Sequence, residues 1–193
     1  LKEPPLPPET YEAFKKDHCA EDVVASKEDE KGVTLSLILI LFAIFFWFTS
    51  INSIETYFTL YASNVLNVKA GDAMVTLAFF AVAFVVSAVP AGIIGTKFGR
   101  KKTIMIGLIG LVLLLSIAYF LRDIWVIRFC LVLAGLFWGL VNINSLPMVV
   151  EIAKSSKIGK YTGYYYFFSQ SASIASPLLF GLIHDLTKNY SNL

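Results

Sequence analysis

The sequence predicts an all-α membrane fold of five transmembrane helices, and three observations carry that expectation. Hydrophobic residues make up 56% of the 193-residue chain and charged residues only 16%, well below the roughly 25% charged residues of soluble domains. Five stretches contain no charged residue, namely 32–54, 73–96, 103–121, 129–150 and 161–183. Each reaches or nearly reaches the roughly 20 apolar residues that cross a bilayer as helix. None shows the roughly ten-residue alternation of a barrel strand. Backbone groups in hydrocarbon must then be satisfied inside each segment, as a helix satisfies them.

The elements follow in chain order. Residues 1–33 hold five Lys against nine Asp and Glu, a balance of −4, whereas the remainder carries +6. This acidic stretch reads as a cytoplasmic tail or a linker between two halves. Pro4, Pro5, Pro7 and Pro8 keep its start extended, residues 9–16 suit a short helix, and 27–31 reads as solvated linker. No apolar core follows a basic start, so nothing here resembles a secretory signal. The membrane domain covers 34–193, with helices expected near 34–65, 71–96, 102–121, 125–150 and 158–185. Cys19 and Cys130 fall on opposite sides of the expected membrane, which argues against a disulfide. The chain begins at Leu1 and not at Met, and a longer parent is expected.

Loop charges set an orientation. Lys97, Arg100, Lys101 and Lys102 follow the second span, and Lys154, Lys157 and Lys160 follow the fourth. The opposite side holds Lys69, Arg122, Arg128 and Lys188. Basic residues concentrate on the cytoplasmic side, so the first set and the N-terminus are expected in the cytoplasm, at the plasma (cell) membrane. Short loops make sequence-adjacent antiparallel helices the expected neighbours. Small residues mark positions of close approach: Gly107 and Gly110, then Ala134, Gly135 and Gly139, then Ser169, Ser173 and Ser176. The third span has almost no polar atoms and is the helix expected to be most exposed to lipid.

Between the second and third spans lies Gly92-Ile-Ile-Gly-Thr-Lys-Phe-Gly-Arg-Lys-Lys102. Gly95 and Gly99 allow a sharp reversal, and the cations satisfy the charge asymmetry, features open to any membrane protein. The spacing also resembles the signature loop of the major facilitator superfamily: a Gly, an Asp four residues on, a basic residue, a spacer, Gly-Arg and a further basic residue. Gly92, Lys97, Gly99, Arg100 and Lys101 match, while Thr96 stands in place of the Asp. In the family this loop joins the second and third helices of a six-helix half, and its Asp helps hold the two halves together. Thr96 cannot supply that carboxylate. The degraded copy fits a C-terminal half.

Glu151 and Gly159-Lys160 resemble the family's loop between the fourth and fifth helices. A Glu151 carboxylate there could pair with Arg100, or stand as a solvated end charge. The resemblance thus implies five transmembrane helices forming an incomplete six-helix major-facilitator half-bundle. Its cytoplasmic gating motif would be Gly92, Lys97, Gly99, Arg100, Lys101 and Glu151, and its partner the missing N-terminal half-bundle. Gly92-x-x-x-Thr96 is echoed by Gly181-x-x-x-Asp185 at the opposite membrane face. An inverted three-plus-three repeat would produce that echo, and it predicts a sixth helix pairing with the third.

Polar atoms in hydrocarbon are costly unless they face the bundle interior or a water cavity. Phe48, Asn52, Glu55 and Thr59 form one stripe of the first helix. Counted from Leu35, Glu55 lies about 30 Å along the helix, which places it near the outer interface. It reads either as a coupling carboxylate or as a solvated end group. Trp138, Asn142 and Ser145 share a face of the fourth helix; Tyr166, Gln170, Ser173 and Pro177 share one of the fifth. The expected substrate-binding residues are Asn52, Glu55, Trp138, Asn142, Tyr166 and Gln170, with Asn142 and Gln170 equally open to structural hydrogen bonding. Asn144 and Ser173 suit helix-to-helix bonds.

The stretch from Trp138 through Asn142, Asn144, Ser145 and Pro147 to Met148, with Gly163 and Tyr164 to Tyr166 after it, looks like sugar-cation symporters of the glycoside and sucrose type. Rings stack on pyranose faces and amides bond hydroxyls, although a drug-binding cavity would use the same residues. His18 and His184 cannot form a site together, and no nucleophile-base-acid order, phosphate loop or metal cluster occurs. No catalytic residue, cofactor, metal or nucleic acid is expected. The expected function is the C-terminal portion of a secondary active transporter, moving a small solute by alternating access with a proton or sodium as coupling ion. The alternatives are a drug or metabolite exporter of the same fold and a membrane scaffold or receptor module that does not transport.

Overall fold

The computed structural model describes residues 8–152 and 158–187, with side chains from Leu35 onward. Among the described residues five helices follow in order: α1 (Pro8–Asn64), α2 (Ala70–Phe98), α3 (Arg100–Leu121), α4 (Ile124–Glu151) and α5 (Ile158–Thr187). No strand occurs among the described residues. Leu35–Asn64 of α1 and the whole of each other helix are long and apolar enough to cross a membrane. The chain divides into two compact units, Leu1–Ile40 and Leu41–Leu193.

The first unit departs from expectation. Residues 27–31 were expected as solvated linker, and a short helix over 9–16, but the backbone is helical without interruption from Pro8. The composition accounts for this. Glu, Ala and Lys are among the best helix formers, and the single Gly32 costs only about 1 kcal/mol relative to Ala. Pro8 begins the helix where its missing N–H is not needed. Pro4, Pro5 and Pro7 lie outside the described residues, as do Lys154, Lys157 and Lys188.

In the second unit the boundaries follow local chemistry. Gly99 alone joins α2 to α3, with φ at 90°, a conformation open to glycine and strained for other residues. The reversal therefore belongs to Gly99; Gly95 is buried within α2 and has a different role. α4 starts five residues before the uncharged stretch that announced it. Its cap is Asp123, whose carboxylate accepts from the backbone N–H of Trp125 (2.9 Å) and Val126 (3.1 Å), satisfying donors that a helix start leaves open. Arg128 lies inside this helix, as it does in the one expected near 125–150. That guanidinium lies over the Trp125 ring at 4.9 Å and donates to Thr76 Oγ1 at 3.2 Å.

α4 is the hub. It packs most extensively against both α2 and α3, which touch each other far less. Sequence adjacency predicts the α3–α4 pair but not the α2–α4 pair, and the glycines explain both. A Cβ on Gly107 of α3 would meet Val141 Cγ2 at 2.7 Å and the Phe137 carbonyl at 2.9 Å, and Gly110 lies under the Phe137 ring. On α4, Gly135 abuts the Phe80 carbonyl of α2, and Gly139 abuts Ser87. In lipid, where no hydrophobic force drives helices together, such backbone approach supplies much of the association. α4 is accordingly the most buried span, and α3 and α5 share the least burial.

α1 is tied to α5 by polar rungs. The hydroxyls of Ser53 and Ser176 lie 2.8 Å apart, Ser173 Oγ donates to Asn52 Oδ1 at 3.2 Å, and the Tyr57 hydroxyl donates to the Pro177 carbonyl at 2.7 Å. Each such bond contributes about 0.6 kcal/mol in a membrane. Pro90, Pro147 and Pro177 sit inside α2, α4 and α5; each removes one backbone donor, which transmembrane helices tolerate when neighbours or local adjustments satisfy the freed carbonyl.

Candidate functional site

Helical spacing brings polar and aromatic side chains of four helices to one cavity of about 260 Å³. Phe48, Ile51, Asn52 and Glu55 come from α1, Phe80, Ala81 and Phe84 from α2, Trp138 and Asn142 from α4, and Gln170 and Ser173 from α5. Within each helix these positions are mostly three or four apart and so share a face. Five of the six expected substrate-binding residues meet here. The sixth, Tyr166, is exposed one turn further along the α5 stripe and does not line the cavity. Its neighbour Tyr165 turns inward instead, with its hydroxyl 3.0 Å from Ser145 Oγ.

The cavity's polar groups fall into two sets. Asn52 donates from Nδ2 to the Phe48 carbonyl at 2.7 Å and accepts from Ser173, so its amide is engaged in holding α1 to α5. The side chains of Glu55, Asn142 and Gln170 make no hydrogen bond or ion pair among the described residues. Three helices thus each present one uncommitted polar group to one space. Opposite them, Trp138 and Phe48 pack edge to face with centroids 5.2 Å apart. Phe48 also meets Tyr165 at 6.3 Å. An apolar, aromatic wall with a few convergent polar groups is the makeup of a small-molecule site, and the volume falls just below the roughly 300–1,000 Å³ of complete ligand pockets.

The apolar span of α1 runs from Leu35 to Asn64, nine residues past Glu55, which lies about 8 Å along the helix from the middle of that span. A second cavity of about 170 Å³, between α1, α3 and α4, is lined by Ser53, Tyr57, Tyr61 and Tyr119 among apolar residues. Its lining holds no charged group.

A different cluster occupies the end of the bundle where α2 turns into α3. Arg100 forms an ion pair with Glu151 at the end of α4, where the Glu151 carboxylate is also exposed. Asn144, fully buried, lies beside it. Its Nδ2 donates to the Ala91 carbonyl of α2 at 3.0 Å and to Leu140 at 2.9 Å, and its Oδ1 accepts from Arg100 Nη1 at 3.5 Å. Gly95 makes room: a Cβ there would overlap the Asn144 amide. Gly92 has only ordinary contact to Ile143, 3.8 Å from a built Cβ. Thr96 donates to Ile93 of its own helix at 2.9 Å. Lys97, Lys101 and Lys102 are exposed and have no ion-pair partner among the described residues.

Sequence reasoning read Asn144 only as helix-to-helix glue. A buried Asn facing a Gly is the signal of such a clamp, but 49 positions separate Gly95 from Asn144, and only the α2–α4 packing pairs them. Among the described residues, no group of three or more His, Cys, Asp or Glu could hold a metal ion.

Comparison with known proteins adds the following. A profile described as Major Facilitator Superfamily matches residues 4–187. The chain is similar to a Bacillus subtilis (strain 168) protein named "Uncharacterized MFS-type transporter YxiO", with 24% identity over 155 residues, covering 79% of this chain and 35% of that protein. The chain therefore spans about a third of the length of that curated relative. No solved structure matches.

Proposed function

Because the chain belongs to the major facilitator superfamily, we propose that it is the C-terminal portion of a secondary active transporter that moves a small polyhydroxylated solute, a sugar, with a proton or sodium ion. The observation that carries this reading is the cavity in which Glu55, Asn142 and Gln170 stand uncommitted beside Trp138 and Phe48. Amides donate to and accept from hydroxyls, and rings cover the apolar face of a sugar. Glu55 is the cavity's one charged group, and an ionisable residue at membrane depth is by default a functional one. A scaffold that only held partners together would have no need of unpaired amides there.

Alternating access supplies the mechanism. The site lies at the middle of the bundle, and a second six-helix half would close it from the other side and rock against this one. The end bearing Gly99, Arg100 and Glu151 faces the cytoplasm in this reading, supported by the exposed Lys97, Lys101 and Lys102 beside it. Gly92, Lys97, Gly99, Arg100, Lys101 and Glu151 act there as the gating end.

The test is uptake of labelled mono- and disaccharides by the full-length protein in proteoliposomes, under an imposed proton gradient and separately under a sodium gradient. Accumulation above the equilibrium level under one gradient is the expected result. Sugars that bind without ever accumulating would overturn the transport reading; accumulation of a drug or metabolite with sugars inert would replace the substrate class.

A further inference from the structure

We propose that Asn144 is a positioning residue: its amide fixes the Arg100 guanidinium for Glu151 while fastening the end of α2 to α4. Together with Glu151 it gives Arg100 two acceptors, both on α4. The consequence for solute movement rests on the transporter reading; the clamp itself does not.

Three observations carry this. Asn144 is fully buried, yet its side chain reaches three elements: Ala91 on α2 at 3.0 Å, Leu140 on its own helix at 2.9 Å, and Arg100 on α3 at 3.5 Å. Both Nδ2 protons are spent on carbonyls, which fixes the amide with Oδ1 toward the guanidinium. The fit is specific, because any side chain at Gly95 would occupy the amide's place. Arg100 is thereby held on two sides, by a charged acceptor at Glu151 and a neutral one at Asn144. The Glu151 contact is the strong, charge-assisted one; the 3.5 Å contact to Asn144 lies at the outer limit of hydrogen bonding and orients the guanidinium more than it anchors it. The α2–α3 turn, with only Gly99 between the helices, is then pinned at both flanks: Ala91 before it and Arg100 after it.

Amide hydrogen exchange over residues 96–103 in the liposome-embedded, full-length protein reads this clamp without any solute. Asn144→Leu keeps the bulk and removes both functions; Arg100→Ala removes the cation. Each is expected to speed exchange about tenfold, and the double variant to exceed the faster single by no more than about twofold, because both break one unit. Effects that multiply to about a hundredfold would mean that Asn144 acts independently of Arg100, and would overturn the proposal.

Should Asn144→Leu fail to fold, Asn144→Asp decides, because it keeps an oxygen for Arg100 and adds charge. In that background Glu151→Gln should accelerate exchange less than about twofold, against about fivefold in the unaltered protein. Equal acceleration in both backgrounds would overturn the proposal. Uptake of labelled sucrose is measured on the same preparations. Asn144→Leu should slow its rate at unchanged half-saturation. Absence of sucrose uptake in the unaltered protein counts against sucrose as solute, and the exchange comparison still decides the clamp.

Discussion

Glu55→Gln in the full-length protein should abolish accumulation of labelled solute against its gradient while leaving exchange across the membrane intact. Glutamine keeps the length, shape and hydrogen-bonding capacity of the side chain and removes only the group that can carry a proton or neutralise a sodium ion. The position makes the loss large. Glu55 is the one charged side chain lining the cavity, and among the described residues it has no cation partner. A tenfold imposed ion gradient supplies about 1.4 kcal/mol, enough for about tenfold solute accumulation at one-to-one coupling. The variant should fall from that ratio to about one, with counterflow of preloaded solute unchanged within about twofold. Unaltered accumulation would remove Glu55 from coupling and return it to a solvated role.

Gly135→Ala should lower thermal stability in detergent more than Gly139→Ala or Gly92→Ala. A Cβ at 135 would fall deep inside contact distance of the Phe80 carbonyl oxygen and 3.0 Å from Ala83 Cβ. At Gly139 the obstruction is the Ser87 hydroxyl, which can rotate; at Gly135 it is backbone, which cannot. The two helices must separate, a strain of about 2 kcal/mol by analogy with overpacked cores, or roughly 6 °C in melting temperature for a chain of this size. Gly92→Ala is the control. Its Cβ would meet Ile143 at 3.8 Å, an ordinary contact, and the melting temperature should move by less than about 2 °C. Separation of α2 from α4 also draws Phe80 and Phe84 away from Trp138 and Asn142, so solute binding should weaken along with stability.

Much of the fold was legible because lipid simplifies the code. Uncharged runs of span length located the five helices of the described residues, and Asp123 caps the start of α4. Two features were hidden. The helix through 27–31 looked like linker because charge was read as solvation, although the same Glu, Lys and Ala residues favour helix. Chain order places α3 against α4, but the α2–α4 pairing follows small residues, and nothing in one sequence pairs Gly135 with Phe80.

The candidate site was visible as stripes, since periodicity assigns faces within a helix. Asn52, Glu55, Trp138, Asn142 and Gln170 were each placed on a polar face and the structure gathers them. Periodicity does not say where a cavity ends along a stripe, which is why Tyr166 was included with Gln170. It is equally blind to commitment: Asn52 and Asn142 look alike in sequence, but only Asn52 has spent its amide on Phe48 and Ser173.

The most direct test of the central claim, that these faces enclose a water-filled solute path, needs no solute. In a background freed of other reactive thiols, Asn142→Cys and Gln170→Cys are compared with Ile106→Cys and Val112→Cys, whose positions on α3 are exposed in the isolated chain but face lipid in this reading. Full-length variants in liposomes are treated with a membrane-impermeant maleimide, which reacts with thiolate in water. The expected result is labelling at 142 and 170 at least about tenfold faster than at 106 and 112. Inert thiols at 142 and 170, or labelling no faster than on α3, would contradict it.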